Sequence, residues 1–249
     1  GAGILADLKT FSAHKLFGMS VIVSVVAENT ARVISCFDIS AQSVDEQMLA
    51  VFEDIVPKAT KIGMLPSKEL MACIAQNLRR FKPENVVIDP VMFAKNGYAL
   101  MPPQNCEFFA QTMLEFADIL TPNIPEAEFL CGFEIKDENA MIKAAKALCQ
   151  KGAKAVLLKG GHRKDNANDI FFDGQEIHLL ESKRIDTKNT HGTGCTLSSA
   201  IASNLALGKD KLSAVKAAKE YVFGAILHSL SLGKGCGPTN HFYKFLEND

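Results

Sequence analysis

The segment NTHGTGCTLSSA, residues 189–200, combines residue types that bind anions with a thiol. Gly192 and Gly194 flank Thr193, and Cys195 follows directly before a run of small and apolar helix formers. The first N–H groups of a helix have no partner inside the helix, so this position suits a phosphate or another anion. The same N–H groups and the helix dipole stabilise a thiolate, which would make Cys195 a nucleophile. A third interpretation is structural: the glycines form a tight turn and the thiol is a small buried side chain.

Polar residues also follow the apolar strand patterns, at the points where the strands are predicted to end. Ligands of open parallel sheets bind beyond the carboxyl ends of the strands. The residues at these points are Glu28, Asn29, Met64, Asp89, Asn123 and Lys159. They supply a cation, carboxylates that can hold a metal and, in the glycines after the lysine, an anion site. These are the groups that phosphoryl transfer needs, because its catalysis is mostly positioning and charge neutralisation.

Each of these residues also has a structural interpretation. Asp89, which precedes a proline, is typical of a turn at the end of a strand. Asn123 and Glu126 form an N-x-x-E pair that suits a helix start, where the dipole favours a carboxylate. Lys159 suits a solvated loop. His191 suits a turn, because no second histidine lies at the spacing needed for a metal ligand pair. The joint occurrence of these residues favours phosphoryl transfer over the separate structural interpretations.

The elements that must position these residues alternate between helix and strand. Apolar spacing predicts a helix from Gly3 that stops at Gly18, and the β-branched run MSVIVSVVAEN, residues 19–29, predicts a strand covered on both faces. Further helices and strands alternate as far as residues 154–161, which implies crossover connections and a parallel sheet. The Asp173-Gly174 turn predicts an antiparallel hairpin at the sheet edge. Predicted helix caps are a capping box of Ser43 with Glu46, and Ser67.

Length and composition limit the possible functions. A chain of 249 residues is expected to form one domain, and 47% hydrophobic with 22% charged residues is ordinary for a globular protein. A net charge of −1 gives no electrostatic reason to expect nucleic-acid binding. The seven cysteines include no C-x-x-C pair, which favours reduced thiols in the cytoplasm. No apolar run of membrane length or signal peptide is found, so we expect a soluble protein with no membrane partner.

Eight segments, in order, closely resemble the hydroxymethylpyrimidine/phosphomethylpyrimidine kinases of thiamine biosynthesis, members of the ribokinase-like superfamily. The segments are GAGILADLKTFSA, VVAENT, KIGML, DPVM, TPNIPEAE, KGGH, DTKNTHGTGCTLSSA and GKGCGP. The resemblance implies an α/β fold with a mostly parallel sheet between helical layers, ATP and Mg²⁺ as cofactors, and a homodimer. It implies phosphorylation of a pyrimidine hydroxymethyl group and then of the monophosphate to the diphosphate. The family places a strand and a Gly-Ser-Asp-rich loop before GAGI, so the native protein is expected to have residues upstream of Gly1.

The resemblance also implies roles for individual residues. Glu28 matches the residue that hydrogen-bonds the pyrimidine ring and its amine, and a carboxylate suits an amino donor. The other residues on the pyrimidine side are Gly3, Asp7, Met64 and Val91. The residues that organise Mg²⁺ and its waters are Asp89, Asn123 and Glu126. The residues on the ATP side are Asn123, Lys159, Thr193 and Lys234. The segment between Gly161 and Asp169 matches a mobile cover near the nucleotide.

The resemblance narrows the role of Cys195. Most ribokinase-like sugar kinases have G-x-G-D where this chain has Gly192-Thr193-Gly194-Cys195, and their aspartate is the base. Cys195 takes that position beside an anion hole made by backbone N–H groups, with Lys159 on the phosphate side. The thiolate is either the base that removes the substrate proton or a wall that shapes the hole. Three alternatives are a pyridoxal or pyridoxine kinase, a pyrimidine-binding module without chemistry, and a cysteine acyl-transfer enzyme that uses His191 and Cys195.

Overall fold

The computed structural model describes residues 1–94, 97–161 and 168–245. Contacts between Cα atoms divide the chain into two compact units. The first contains residues 1–56, 93–98 and 185–249, and the second contains residues 57–92 and 99–184. The single domain expected for residues 1–249 stays a prediction.

Eight helices and eight strands are named here in chain order, within the described residues. The helices are α1 (Gly3–Ala13), α2 (Ala41–Asp54), α3 (Lys68–Phe81), α4 (Cys106–Met113), α5 (Ile124–Cys131), α6 (Glu138–Gln150), α7 (Thr193–Ala206) and α8 (Lys211–Leu227). The strands are β1 (Ser24–Glu28), β2 (Val33–Asp38), β3 (Thr60–Ile62), β4 (Val86–Ile88), β5 (Ile119–Leu120), β6 (Val156–Leu158), β7 (Asp169–Phe172) and β8 (Ile177–Leu180).

The second unit is built on a six-stranded sheet with the order β3-β4-β5-β6-β7-β8. Strands β3 to β6 are parallel and connected through helices, whereas β7 and β8 are antiparallel. Every residue of β4, β5 and β6 is buried, as continuous apolar runs in a parallel sheet predict. The predicted parallel sheet is therefore present, and the hairpin predicted from Asp173-Gly174 lies at its edge, with Ile170 opposite Leu179.

The first unit contains helices α1, α2, α7 and α8 and a separate two-stranded sheet, β1-β2. Helix α7 contacts both α1 and α8, and all of its residues from 196 to 205 are buried. Half of these residues are alanine or serine, whose small side chains let neighbouring helices approach closely. A buried serine hydroxyl needs a hydrogen-bond partner, and Ser203 Oγ donates to Ser199 O at 2.8 Å within the helix. The buried stretch 196–205 gives the turn at the amino end of α7 a rigid base.

Strand β1 differs from the prediction. The run of residues 19–29 was predicted to be a strand covered on both faces, but only Ser24–Glu28 form a strand, and it pairs antiparallel with β2. Val25 and its cross-strand partner Phe37 are 55% and 70% exposed. A β-branched run indicates strand propensity, but which elements cover the strand depends on the tertiary structure. The prediction of a buried parallel strand here is wrong.

Two predicted helix ends are also wrong. Helix α1 ends at Ala13, because Lys15 takes a left-handed conformation with φ 60° and turns the chain before Gly18. A Cβ on Gly18 would lie 2.9 Å from side-chain atoms of Leu8 and Phe11, so this glycine permits close packing on α1. Helix α2 is capped by Ser40, whose hydroxyl accepts from the amide of the predicted cap residue Ser43 at 3.2 Å. The cap predicted at Ser67 is confirmed, since its hydroxyl accepts from the Leu70 amide at 3.2 Å.

Candidate active site

A left-handed glycine begins helix α7 in the first unit. Gly192 has φ 84° and is the N-cap, so Thr193, Gly194 and Cys195 are the first three helical residues. The Gly192 carbonyl accepts from the Thr196 amide at 2.9 Å. Amides in the first turn of a helix have no acceptor within the helix and point along the dipole at any bound anion. We call residues 192–195 the anion turn, and it is the arrangement predicted from the segment NTHGTGC.

Gly192 is required at this position for two reasons. Residues with a Cβ rarely adopt the positive φ of Gly192. A Cβ at this position would also overlap the carbonyl oxygen of Gly1. The side chain of Thr193 turns back to donate to Thr190 O at 2.8 Å. The turn is therefore held in one conformation by a close backbone approach and by a local hydrogen bond.

Glu28 is the last residue of β1 and lies beside His191. The strand register shifts between Ala27 and Glu28, and a bulge of this kind redirects a side chain. His191 Nε2 lies 3.3 Å from Glu28 Oε1, and the two side chains are 13% and 27% exposed. The sequence suggested only a turn for His191, because nothing in a local pattern pairs two residues so far apart in the chain. The structure makes His191 a partner of the predicted pyrimidine-binding carboxylate.

The remaining predicted residues of the first unit have different surroundings. Asp7 on α1 accepts a hydrogen bond of 2.6 Å from Ser199 Oγ on α7, which ties the two helices together. Gly3 is the first residue of α1 and has φ 57°. Lys234 is exposed, on a loop where the Cys236 amide donates to Thr30 O at 3.0 Å. The roles predicted for Gly3, Asp7 and Lys234 stay predictions.

In the second unit, polar side chains meet beyond the carboxyl ends of β4, β5 and β6. Lys159 Nζ lies 2.9 Å from Asp89 Oδ1, and the same oxygen accepts from Thr121 Oγ1 at 3.1 Å. The Asp89 and Lys159 side chains are only 3% and 15% exposed. The Lys159 amide donates to Pro122 O at 2.8 Å, which fixes the backbone under its side chain. Strand ends therefore bring together these two predicted residues, as the parallel-sheet argument requires.

Asn123 and Glu126 form a capping box at the start of α5. The Glu126 amide donates to Asn123 Oδ1 at 2.9 Å, and the Asn123 amide donates to Glu126 Oε2 at 2.8 Å. Burial raises the pKa of Glu126 to about 7; the nearby Lys159 ammonium opposes this rise and the Asp89 carboxylate adds to it. The N-x-x-E pair thus has the structural role that the sequence suggested. Its Glu126 carboxylate also interacts electrostatically with Asp89 and Lys159.

The residues in this cluster suit a magnesium ion. Two buried carboxylates, Asp89 and Glu126, face a single lysine, so a divalent cation would offset the remaining negative charge. Mg²⁺ is usually bound through one or two carboxylates and keeps several waters. Within the described part of the chain, no group of three His, Cys, Asp or Glu residues could hold a metal ion. A site with two carboxylates and bound waters does not need such a group. The assignment of Mg²⁺ to Asp89, Asn123 and Glu126 stays a prediction.

Met64 and Val91 lie at the same edge of the sheet. Each follows a strand of the parallel pair β3-β4, in which Ile62 lies opposite Ile88. Both side chains are partly buried, and the Val91 amide donates to Asp89 O at 2.8 Å. Their predicted contact with the pyrimidine stays a prediction. Most of the predicted nucleotide cover, residues 162–167, lies outside the described residues.

Comparison with known proteins decides between the families that the sequence left open. The sequence model of the phosphomethylpyrimidine kinase family matches residues 1–240. The chain belongs to this family. A hydroxymethylpyrimidine/phosphomethylpyrimidine kinase from Rhizobium meliloti (strain 1021) is 47% identical over 249 residues, which cover 98% of this chain and 93% of the relative. The predicted family membership and kinase class are therefore confirmed.

Solved structures agree with this kinase family. The crystal structure of a phosphomethylpyrimidine kinase from Clostridium difficile 630 has a TM-score of 0.82 and 43% identity, and the match covers 91% of this chain and 94% of that one. An ADP complex of pyridoxal kinase from Bacillus subtilis has a TM-score of 0.92 and 36% identity, with 99% and 94% covered. The predicted ribokinase-like fold class is confirmed. None of the kinase's helices, among the residues described, is long and apolar enough to span a membrane.

Proposed function

We propose that this kinase transfers the γ-phosphoryl group of ATP to the hydroxymethyl group of 4-amino-5-hydroxymethyl-2-methylpyrimidine. It then phosphorylates the monophosphate to the diphosphate, a reaction of thiamine biosynthesis. The observation that carries the proposal is the family match over residues 1–240. The anion turn and the Asp89–Lys159 pair support it, because phosphoryl transfer depends on positioning and on neutralising charge.

The Glu28 carboxylate is the proposed acceptor for the exocyclic amine of the pyrimidine. An ionised carboxylate only accepts hydrogen bonds, so it selects a ring that carries an amino donor. Its contact of 3.3 Å with His191 fixes the carboxylate before the substrate binds. Gly3, Asp7, Met64 and Val91 complete the proposed pyrimidine-binding residues.

The anion turn is proposed to bind the phosphoryl group during transfer. Gly192, Thr193 and Gly194 supply its backbone, and the amides of the first turn of α7 stabilise the charge that develops on the phosphoryl oxygens. Cys195 lies within this same turn, at the third helical position. Its thiolate either removes the proton of the attacking hydroxyl or forms one wall of the anion site.

We further propose which residues hold the nucleotide and its metal. Asp89, Asn123 and Glu126 would hold Mg²⁺ and its waters, and bound Mg²⁺ would neutralise charge on the phosphates. Lys159 is proposed on the phosphate side of ATP, and the other proposed ATP residues are Asn123, Thr193 and Lys234. The similarity to the ADP complex of the Bacillus subtilis pyridoxal kinase supports the use of an adenine nucleotide.

We also propose that the protein is a cytoplasmic homodimer. Support for the dimer comes from the exposed apolar pair of Val25 and Phe37 on the two-stranded sheet, since apolar patches of this kind often mark protein interfaces. Support for the cytoplasm comes from the seven cysteines, which are all thiols and suit a reducing compartment.

The test of the function is ADP release measured with two alternative acceptors. The aminopyrimidine is expected to give a higher kcat/KM than pyridoxal, and mass spectrometry should find first the monophosphate and then the diphosphate. A preference for pyridoxal would support the second candidate function, a pyridoxal kinase. The TM-score of 0.92 with the Bacillus subtilis pyridoxal kinase is the observation that favours this candidate. Pyrimidine binding without ADP release would instead support a binding module and contradict the proposal.

A further inference from the structure

The chain segment 237–241 runs beside residues 189–191, which lead into the anion turn, and is tied to them by hydrogen bonds. The His191 amide donates to Gly237 O at 3.1 Å, and the Gly237 amide donates to Asn189 Oδ1 at 3.2 Å. Residues 191 and 238 form an isolated parallel bridge. The approach to the turn is therefore held in register with this segment, which we call the 237–241 strap.

The strap ends at a buried histidine that contacts helix α7. His241 is 5% exposed, and its Nε2 lies 3.1 Å from Oγ1 of Thr196, which is fully buried. Tyr221 on α8 donates its hydroxyl to His241 O at 2.7 Å, so the backbone under the imidazole is fixed from the other side. The position of the ring is thus set by two helices and by the strap.

The direction of the contact between Thr196 and His241 depends on the tautomer of the imidazole, and the hydrogen available on each group assigns it. The hydroxyl of Thr196 lies 2.8 Å from Gly192 O and donates its only hydrogen there. The contact of 3.1 Å to His241 then requires an Nε2–H donor on the imidazole. Burial, together with the charge of Lys9, lowers the pKa of His241 to about 4. At neutral pH the ring is therefore uncharged and carries a single hydrogen.

We propose that His241 is a positioning residue for phosphoryl transfer: its Nε2–H holds the Thr196 hydroxyl as a donor to the carbonyl of Gly192. This carbonyl belongs to the left-handed residue that sets the direction of the first amides of α7. Fixing it keeps those amides aligned on the phosphoryl group, which matters most in the transition state. The inference rests on the proposed role of the anion turn.

Helix α7 offers a matched control for this relay. Ser203 also donates to the carbonyl four residues earlier at 2.8 Å and is 1% exposed, but it lies in the second half of the helix. Removing the Ser203 hydroxyl with Ser203→Ala tests the cost of losing such a bond anywhere in α7. Thr196, in contrast, combines this bond with the contact to His241.

The test combines kinetics of five variants with NMR of the wild-type protein. His241→Phe and Thr196→Val should each lower kcat about tenfold, the value of roughly one hydrogen bond, with the KM for the pyrimidine within about twofold of wild type. The double variant should be no slower than either single variant, because both break the same relay. His241→Gln, whose amide can donate from a similar position, should recover most of the lost kcat. Ser203→Ala should keep the wild-type kcat.

In wild-type protein, ¹⁵N–¹H correlation spectra should show the hydrogen of His241 on Nε2. A hydrogen on Nδ1 would overturn the proposal even if the variants fail to fold. Independent, multiplicative losses in the double variant, or a wild-type kcat in His241→Phe, would overturn it as well. Gly192→Ala separates this failure from failure of the anion turn itself. If Gly192→Ala loses turnover and His241→Phe does not, only the role of His241 is wrong.

Discussion

His191 shows how much a single residue depends on its partner. By sequence alone it is one histidine in a glycine-rich loop, and the common interpretation is a turn residue. In the structure its Nε2 lies 3.3 Å from Glu28 Oε1. His241 is a second example, since its partner Thr196 lies far away in the chain. Such pairs could not be predicted, because no local period or spacing connects residues that only the fold brings together.

Glu28→Ala should raise the KM for the pyrimidine far more than the KM for ATP. The change removes the acceptor for the substrate amine, and a hydrogen bond to a charged group is worth about 1.5–3 kcal/mol, or roughly tenfold to over a hundredfold. Steady-state kinetics with each substrate varied will measure both constants. Asp38→Ala is the matched control, because Asp38 is another exposed carboxylate on the same hairpin. Equal increases of the two constants would contradict the assignment of Glu28.

Cys195→Ser should separate the two roles left open for the thiol. Serine keeps a small polar side chain in the first turn of α7 but does not ionise near neutral pH. If the thiolate is the base, the variant loses most of its turnover, and the wild-type rate rises with pH as the thiol ionises. We expect this result. Turnover close to wild type, with an unchanged pH profile, would leave Cys195 only as a wall of the anion site.

At the scale of elements, predictions succeeded where the signal was local. Ser67 and the Asp173-Gly174 sequence carry local signals, for a side-chain cap and for a tight hairpin turn, and both features were found where predicted. Strand β1 was mispredicted because its apolar run is the same whether helices or solvent cover it. Much of the candidate site was also predictable, since residues after parallel strands share one edge; Asp89 and Lys159 meet there.

Gly192→Ala should disable the anion turn and lower turnover far more than its loss of stability alone explains. Alanine at φ 84° is strained by about 1–2 kcal/mol, and its Cβ would overlap Gly1 O, so the turn must shift. Losing aligned transition-state donors should lower kcat by about a hundredfold or more. Gly208→Ala is the control: it has φ 86° and nothing within 4 Å of a Cβ, so it carries the strain alone. Turnover and thermal unfolding will be compared, and equal kcat values in both variants would contradict the role of the turn.

For the whole molecule, composition predicted the general class of protein, whereas the resemblance predicted its family. A net charge of −1 and 47% hydrophobic residues indicated a globular protein and gave no substrate. The ordered segments from GAGI to GKGCGP indicated the family, which the match over residues 1–240 confirms. Neither source predicted the exposed two-stranded sheet of the first unit, because its apolar face contacts no other element in the described chain strongly enough to bury it. The exposed sheet therefore bears on the oligomeric state of the protein.

Phe37→Glu should convert the proposed homodimer to a monomer. Phe37 is 70% exposed and lies directly opposite Val25, itself 55% exposed, so the pair presents apolar area on the sheet surface. A carboxylate placed there would be buried unpaired in a dimer, which costs far more than it does in water. Sedimentation velocity over a range of protein concentrations will measure the mass of each species. Phe129→Glu is the control, since Phe129 on α5 is also exposed, at 48%, but lies in the other unit. A monomeric wild-type protein, or a Phe37→Glu variant that stays dimeric, would contradict an interface on this sheet.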